Sequence, residues 1–185
     1  MLNKLRIIGG SLRSRQITVL DESALRPTPN RIRETLFNWL RIDIIGAHCL
    51  DLFAGSGALG FEALSREAKS VTFVEKDPRI MRQLKQNSET LGTEHTQFIL
   101  QDALAYLKKA TDQTFDIIFL DPPYAENLLQ PCLTLLHAQA FLNPHTKIYL
   151  EHDHPLSEIV FPENMSLIQH KKAGHVYYGL LACEP

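Results

Sequence analysis

Asp51-Leu-Phe-Ala-Gly55-Ser-Gly57-Ala-Leu-Gly60 decides the fold of this 185-residue chain. The apolar run Cys49–Phe53 reads as a strand and residues 58 to 66 as a helix, so the glycines form a G-x-G-x-x-G turn between them. Glycine there lets the backbone turn tightly and come close to a ligand. Further along, strand candidates at 70–75, 96–100, 115–120 and 147–151 alternate with helical stretches at 78–91, 102–110 and 126–140. Apolar strands interleaved with helices predict an α/β fold whose parallel sheet is covered on both faces, with ligand sites at the strands' carboxyl ends. Met165–His170 and His175–Leu181 flank Lys171-Lys172-Ala173-Gly174. They predict an antiparallel C-terminal hairpin, which makes seven strands in all.

Upstream of the loop, Leu5–Ile8 and Gln16–Leu20 are short β-prone runs around Gly9-Gly10-Ser11 and predict a hairpin carrying Arg6, Arg13 and Arg15. Thr28-Pro29 reads as an N-cap followed by proline at the first helical position. Ile32, Leu36, Phe37 and Leu40 then recur at helical spacing, with Arg31, Glu34, Asn38 and Arg41 on the other side. Residues 1–45 are expected to form this extension, packed on a body at 46–185. Trp39, Phe37 and Leu36 read as helix packing.

The formal charge of -2 conceals an asymmetry: residues 1–41 carry +5 and the rest -7. A basic arm on an acidic body suits a polyanion, although a solvated charged face gives the same count. A hydrophobic share of 44% and a charged share of 22% are ordinary for one soluble domain and exclude disordered and fibrous classes. No apolar stretch approaches a membrane span, and no hydrophobic signal region follows Met1-Leu-Asn-Lys-Leu-Arg, so a cytoplasmic location is expected. Cys49, Cys132 and Cys183 are widely spaced and read as buried thiols. His152-Asp153-His154 reads as a solvated loop, and no metal is expected.

Glu75 ends the second body strand, twenty residues after Gly55, where a carboxylate can accept from both hydroxyls of a ribose. Asp51 decides between adenosine cofactors. It repels the pyrophosphate of a dinucleotide but favours the ammonium and sulfonium of S-adenosylmethionine. An N-cap or turn role for Asp51 is the structural alternative. Asp102 follows the third strand, placed both to accept from an adenine amino group and to cap a helix.

Asp121-Pro122-Pro123-Tyr124 follows the apolar run Ile117–Leu120. Consecutive prolines fix the backbone and remove amide donors, which leaves rigid acceptors at a cleft. The Asp121 carboxylate and the Pro122 carbonyl can take both N–H groups of a nucleobase amine and direct its lone pair at a methyl group. Tyr124 can stack on the extruded base. A rigid strand-ending turn is the alternative for these four residues.

With those motifs placed, the body resembles a class I, Rossmann-like methyltransferase dependent on S-adenosylmethionine. Arg6–Gly10, Arg26–Leu40, Asp51–Gly60, Glu62–Arg66 and Asp121–Tyr124 together resemble the bacterial ribosomal small-subunit methyltransferase D family over nearly the whole chain. The resemblance implies methyl transfer to N2 of a guanine in 16S ribosomal RNA, producing S-adenosylhomocysteine. It implies Asp51, Gly55, Gly57, Glu75 and Asp102 as cofactor residues and Asp121 to Tyr124 as the amine site. Arg6, Arg13, Arg15, Arg31 and Arg33 become the expected RNA contacts, and a monomer is expected. Glu67 departs from the family's glycine, at a helix end. The residues alone leave open adenine N6 methylation of DNA or RNA, a non-catalytic RNA-binding module of the same shape, and an NAD-linked oxidoreductase.

Overall fold

Each predicted apolar run folds as a strand in the computed structural model, which describes residues 2–20, 29–109 and 113–184. β1 (Leu2–Arg6) and β2 (Gln16–Leu20) form a separate two-stranded antiparallel sheet, with Arg6 opposite Gln16. After α1 (Asn30–Trp39) the body runs β3 (His48–Asp51), α2 (Ala58–Ser65), β4 (Ser70–Glu75), α3 (Pro78–Leu91), β5 (Thr96–Leu100) and α4 (Ala103–Leu107). It continues with β6 (Phe115–Leu120), α5 (Leu129–Ala138), β7 (Leu142–His152), β8 (Met165–Ala173) and β9 (Val176–Cys183). The sheet order is β5-β4-β3-β6-β7-β9-β8. Neighbours from β5 to β7 are parallel, and β9 is antiparallel to both β7 and β8.

Period-two alternation feeds two apolar layers. Ile117 and Phe119 of β6 point to one face and Ile118 and Leu120 to the other. The first layer also takes Ile7 and Ile17 from the hairpin, Leu36 and Phe37 from α1, and Phe61 and Phe73. The second is packed under α4 and α5 by Leu107, Leu133 and Leu136. Each such side chain, fully buried, contributes roughly 1.5–3 kcal/mol. All three cysteines are buried and unpaired. No helix among the described residues is long and apolar enough to cross a membrane.

Several boundaries differ from the sequence reading, and at four of them the local contacts give a physical reason. β1 ends at Arg6 because the amides of Ile8 and Gly9 donate to the Glu62 carboxylate, at 2.8 Å each, and leave the ladder. α1 begins at Asn30 with Pro29 in the capping position, while Thr28 lies outside the described residues. α5 starts only at Leu129, because Tyr124–Glu126 form a 3-10 turn closed by Asn127 at φ 49. β7 reaches back to Leu142, where the Thr146 hydroxyl bonds the Phe115 carbonyl across a bulge.

β3 is the switch point of the sheet: β4 and β5 lie to one side of it, and β6 and the later strands lie on the other. The chain leaving β3 and the chain leaving β6 therefore run to opposite sides, which opens a crevice between the loops that follow them.

Candidate active site

Four carboxylates stand along that edge. Asp51 ends β3 between Phe73 of β4 and Phe119 of β6; Glu75 ends β4 opposite Leu100; Asp102 caps α4 after β5; Asp121 directly follows β6. Asp51 is only 3% exposed and accepts from the Gly60 amide at 3.0 Å. Burial pushes its carboxyl up to about 8, against the lowering effect of that amide and with the Glu75 charge adding to the rise. Asp51 therefore lies beneath the glycine loop, tied to the helix that the loop launches.

The loop itself needs its glycines. Gly55 and Gly57 take φ of 48 and 76. At Gly60 a Cβ would run into the Phe73 ring and meet the Asp51 carboxylate, so helix α2 packs on β4 only through a glycine. The Ala54 amide donates to the Val74 carbonyl at 3.0 Å, which keeps the loop beside β4. Glu75 then accepts from the amides of Gly55 (3.0 Å) and Asp77 (2.9 Å). A carboxylate offers about four acceptor positions, so these two bonds leave capacity for ribose hydroxyls. Asp102 is exposed and accepts from the Ala105 amide at 3.0 Å, the capping role that its sequence position also allowed.

This set fits a cationic nucleoside. Its functional groups are carboxylate acceptors around a close-approach loop, the chemistry that hydroxyls, an amine and a sulfonium require. A pyrophosphate would meet the Glu75 charge and, at Asp51, a buried carboxyl with no cation to offer it.

Across the crevice, Asp121 is half-buried, Pro122 buried and Pro123 exposed. The Tyr149 hydroxyl donates to the carboxylate of Glu151 at 2.7 Å, and the Tyr124 hydroxyl faces the same carboxylate. Glu151 is 2% exposed. Burial first, then the charges of Asp121 and Glu151, raise both tyrosines above the ordinary phenol, so both remain protonated donors. Tyr124 thus has its hydroxyl beside a buried acid. Sequence reasoning missed Glu151 and Tyr149, although a signal was present: they are two residues apart on one strand face, and Glu151, like Asp51 and Glu75, is an acid at a strand's carboxyl end. Lys76, just past β4, reaches Glu126 in the turn after Tyr124 at 3.0 Å and links the two sides of the crevice.

The family model described as conserved hypothetical protein 95 matches residues 5–182. Ribosomal RNA small subunit methyltransferase D of Haemophilus influenzae is 47% identical, the match covering 96% of this chain and 93% of that protein. Its Escherichia coli K12 counterpart is 43% identical, covering 96% and 89%. The chain belongs to the ribosomal RNA small subunit methyltransferase D family. Among solved structures, the Escherichia coli protein yhhF superposes with a TM-score of 0.89 at 41% identity, over 98% of this chain and 99% of that one. A Thermus thermophilus 16S rRNA N2 G1207 methyltransferase, solved with AdoMet and guanosine, shares the fold at a TM-score of 0.71 and 21% identity, over all of this chain and 50% of that one.

In this methyltransferase D family member the expected RNA contacts divide into three groups. Arg6, Arg13 and Arg31 are exposed on the hairpin and on α1. Arg15 is exposed too, but its guanidinium donates to the carbonyls of Thr90 (2.6 Å) and Leu91 (3.1 Å), where it caps the C-terminus of α3. Arg33 corrects the sequence reading: it is 0% exposed, donates to the Arg6 carbonyl at 3.0 Å and to Asn30 at 2.7 Å, and lies 3.6 Å from the buried Glu62. Spacing gives the reason, since Arg33 stands three and four residues before Leu36 and Phe37 on the inward stripe. Beside it, the Ser65 hydroxyl donates to the Gly9 carbonyl and accepts from the Leu12 amide. The hairpin is thereby keyed to α2, the helix that begins at the glycine loop.

Proposed function

We propose that this chain methylates the exocyclic N2 amine of a guanine in 16S ribosomal RNA of the small ribosomal subunit, using S-adenosylmethionine, as a cytoplasmic monomer. One observation carries the reading: on adjacent strands β3 and β6, a glycine loop seated on buried Asp51 adjoins Asp-Pro-Pro-Tyr backed by Glu151. The relatives' names support the ribosomal RNA substrate, and guanosine in the fold neighbour is consistent with the choice of base.

S-adenosylmethionine supplies a methyl group made electrophilic by a sulfonium and leaves as S-adenosylhomocysteine. Asp51, Gly55 and Gly57 hold its amino acid end, Glu75 accepts from the ribose hydroxyls, and Asp102 accepts from the adenine amino group. Asp121 and the Pro122 carbonyl accept the two N–H groups of the target amine, so its lone pair is directed along the attack line. With the cofactor bound, the amine nitrogen would take the methyl group as its bond to sulfur breaks, and the Asp121 carboxylate would take one amine proton. Tyr124, with its hydroxyl beside Glu151, presents its ring to the extruded guanine. Buried carboxylates in this crevice stabilise positive charge as it passes from sulfur to nitrogen.

Nucleoside mass spectrometry after incubation of small subunits from a strain lacking the enzyme, with isotopically labelled cofactor, tests the reaction. N2-methylguanosine is expected. N6-methyladenosine alone would overturn the base assignment in favour of an adenine methyltransferase. Asp121→Ala is expected to abolish transfer while RNA binding persists, and unchanged transfer would return the motif to a structural turn.

A further inference from the structure

Tyr124 begins a row of rings. The His152 imidazole lies 6.2 Å from the Tyr124 ring, and the His154 imidazole lies 5.4 Å beyond His152. Past them opens a cavity of about 240 Å³ between the start of α5 and the 3-10 turn Leu156–Glu158. Leu129 and Ile159 give it apolar walls, the two imidazoles one side, and Asn127 a carboxamide. Glu158 adds an acid to the lining, and Asp153 stands outside it, bonded to His154.

We infer that this cavity receives the nucleobase adjoining the target guanine in the RNA chain, stacked on His152 and His154 with its polar edge toward Asn127. The inference rests on the RNA-methylation reading above. Unstacked bases are recognised by aromatic or imidazole faces combined with amide groups at the base edge, the combination present here. The Glu158 carboxylate in the lining disfavours a phosphate and leaves the sugar-phosphate chain to exposed Arg6, Arg13 and Arg31. The volume is below the roughly 300–1,000 Å³ of drug-sized ligand sites and suits one base. The rings are set in advance: the His154 amide donates to His152 Nδ1 at 3.0 Å, and His154 Nδ1 bonds Asp153 at 2.8 Å. Continuity with Tyr124 fixes the occupant as the target's immediate neighbour.

The experiment uses small subunits reconstituted with 16S RNA that lacks the base on either the 5′ or the 3′ side of the target guanine. Loss of that base on one side is expected to raise KM on the order of tenfold, as base stacking normally implies. His154→Ala is expected to raise KM for intact RNA by a similar factor, and the variant with the abasic RNA to show no further loss. Multiplicative losses, or an unchanged KM for His154→Ala, would overturn the proposal. Among the described residues, His152, Asp153 and His154 also bring ligand atoms within 4.8 Å of one another. If His154→Ala alters only inhibition by added zinc, the cluster is a metal site and the base assignment fails. Should wild-type enzyme leave intact subunits unmodified, the methylation reading falls; stacking is then judged by RNA binding with the same variant and abasic pairs.

Discussion

Asp51 is a residue whose protonation reports its ligand. Its carboxyl sits at about 8 in place of 3.8, because burial penalises the charged form. Between those values the unfolded chain has lost this proton and the folded chain keeps it, so folded-state stability falls as pH rises through the interval. A cation on the glycine loop favours the ionised carboxylate and reverses the effect. Cofactor affinity is therefore expected to rise by up to about tenfold per pH unit toward pH 8, with proton release on binding; calorimetry in buffers of different ionisation heat measures both. Asp51→Asn should flatten the dependence, and binding at pH 7 without proton release removes Asp51 from the cofactor site. On the acceptor side, Glu151→Gln keeps the shape but loses the charge that both tyrosine hydroxyls face. Single-turnover methyl transfer is expected to slow about tenfold while the cofactor Kd stays constant. An equal loss in cofactor affinity would show that Glu151 supports the sheet edge as a whole.

At the scale of elements, α2 joins glycine loop and arm, and both its C-terminal end and its middle are informative. Glu67, just beyond its C-terminus, has φ 73, a conformation that costs an L residue about 1 kcal/mol or more and glycine very little. Glu67→Gly is expected to stabilise the protein by about 1 kcal/mol in urea unfolding, because the left-handed backbone at this helix end is a local strain for an L residue. Midway along α2, Glu62 accepts from Ile8 and Gly9 and faces Arg33 and Arg66. Removing that carboxylate strands a buried guanidinium, a change that typically costs about 3–5 kcal/mol. Glu62→Ala should show that loss together with faster amide exchange at Ile8 and Gly9. Unchanged exchange would mean that apolar packing alone holds the hairpin.

Across the whole molecule, the charge asymmetry of +5 on residues 1–41 against -7 elsewhere acts only through side chains that reach solvent. Substituting Arg13 or Arg31 with Gln is expected to weaken RNA binding and to reduce the slope of log affinity against log salt by about one each. Arg33→Gln should lower the melting temperature, since Arg33 is part of the interior. Fluorescence anisotropy over a salt series and thermal unfolding separate the two classes. A salt slope unaffected by Arg13 and Arg31 places the RNA on another face.

Strand and helix order, the glycine turn and the acids at strand ends were legible in the chain because each follows from local spacing. Alternation every two residues forms a strand, recurrence every three or four forms a helix, and glycine marks the turn. Ser70–Glu75 and Pro78–Leu91 even fold with the predicted limits. Tertiary structure alone decided which charges became interior: Arg33 turned from an expected RNA contact into the partner of Glu62, and Glu151 became the buried acceptor of the Tyr149 hydroxyl. The physical reason is distance along the chain. Ile8 and Glu62 lie 54 positions apart, and a buried charge finds its counterpart through space, after the sheet has brought remote segments together.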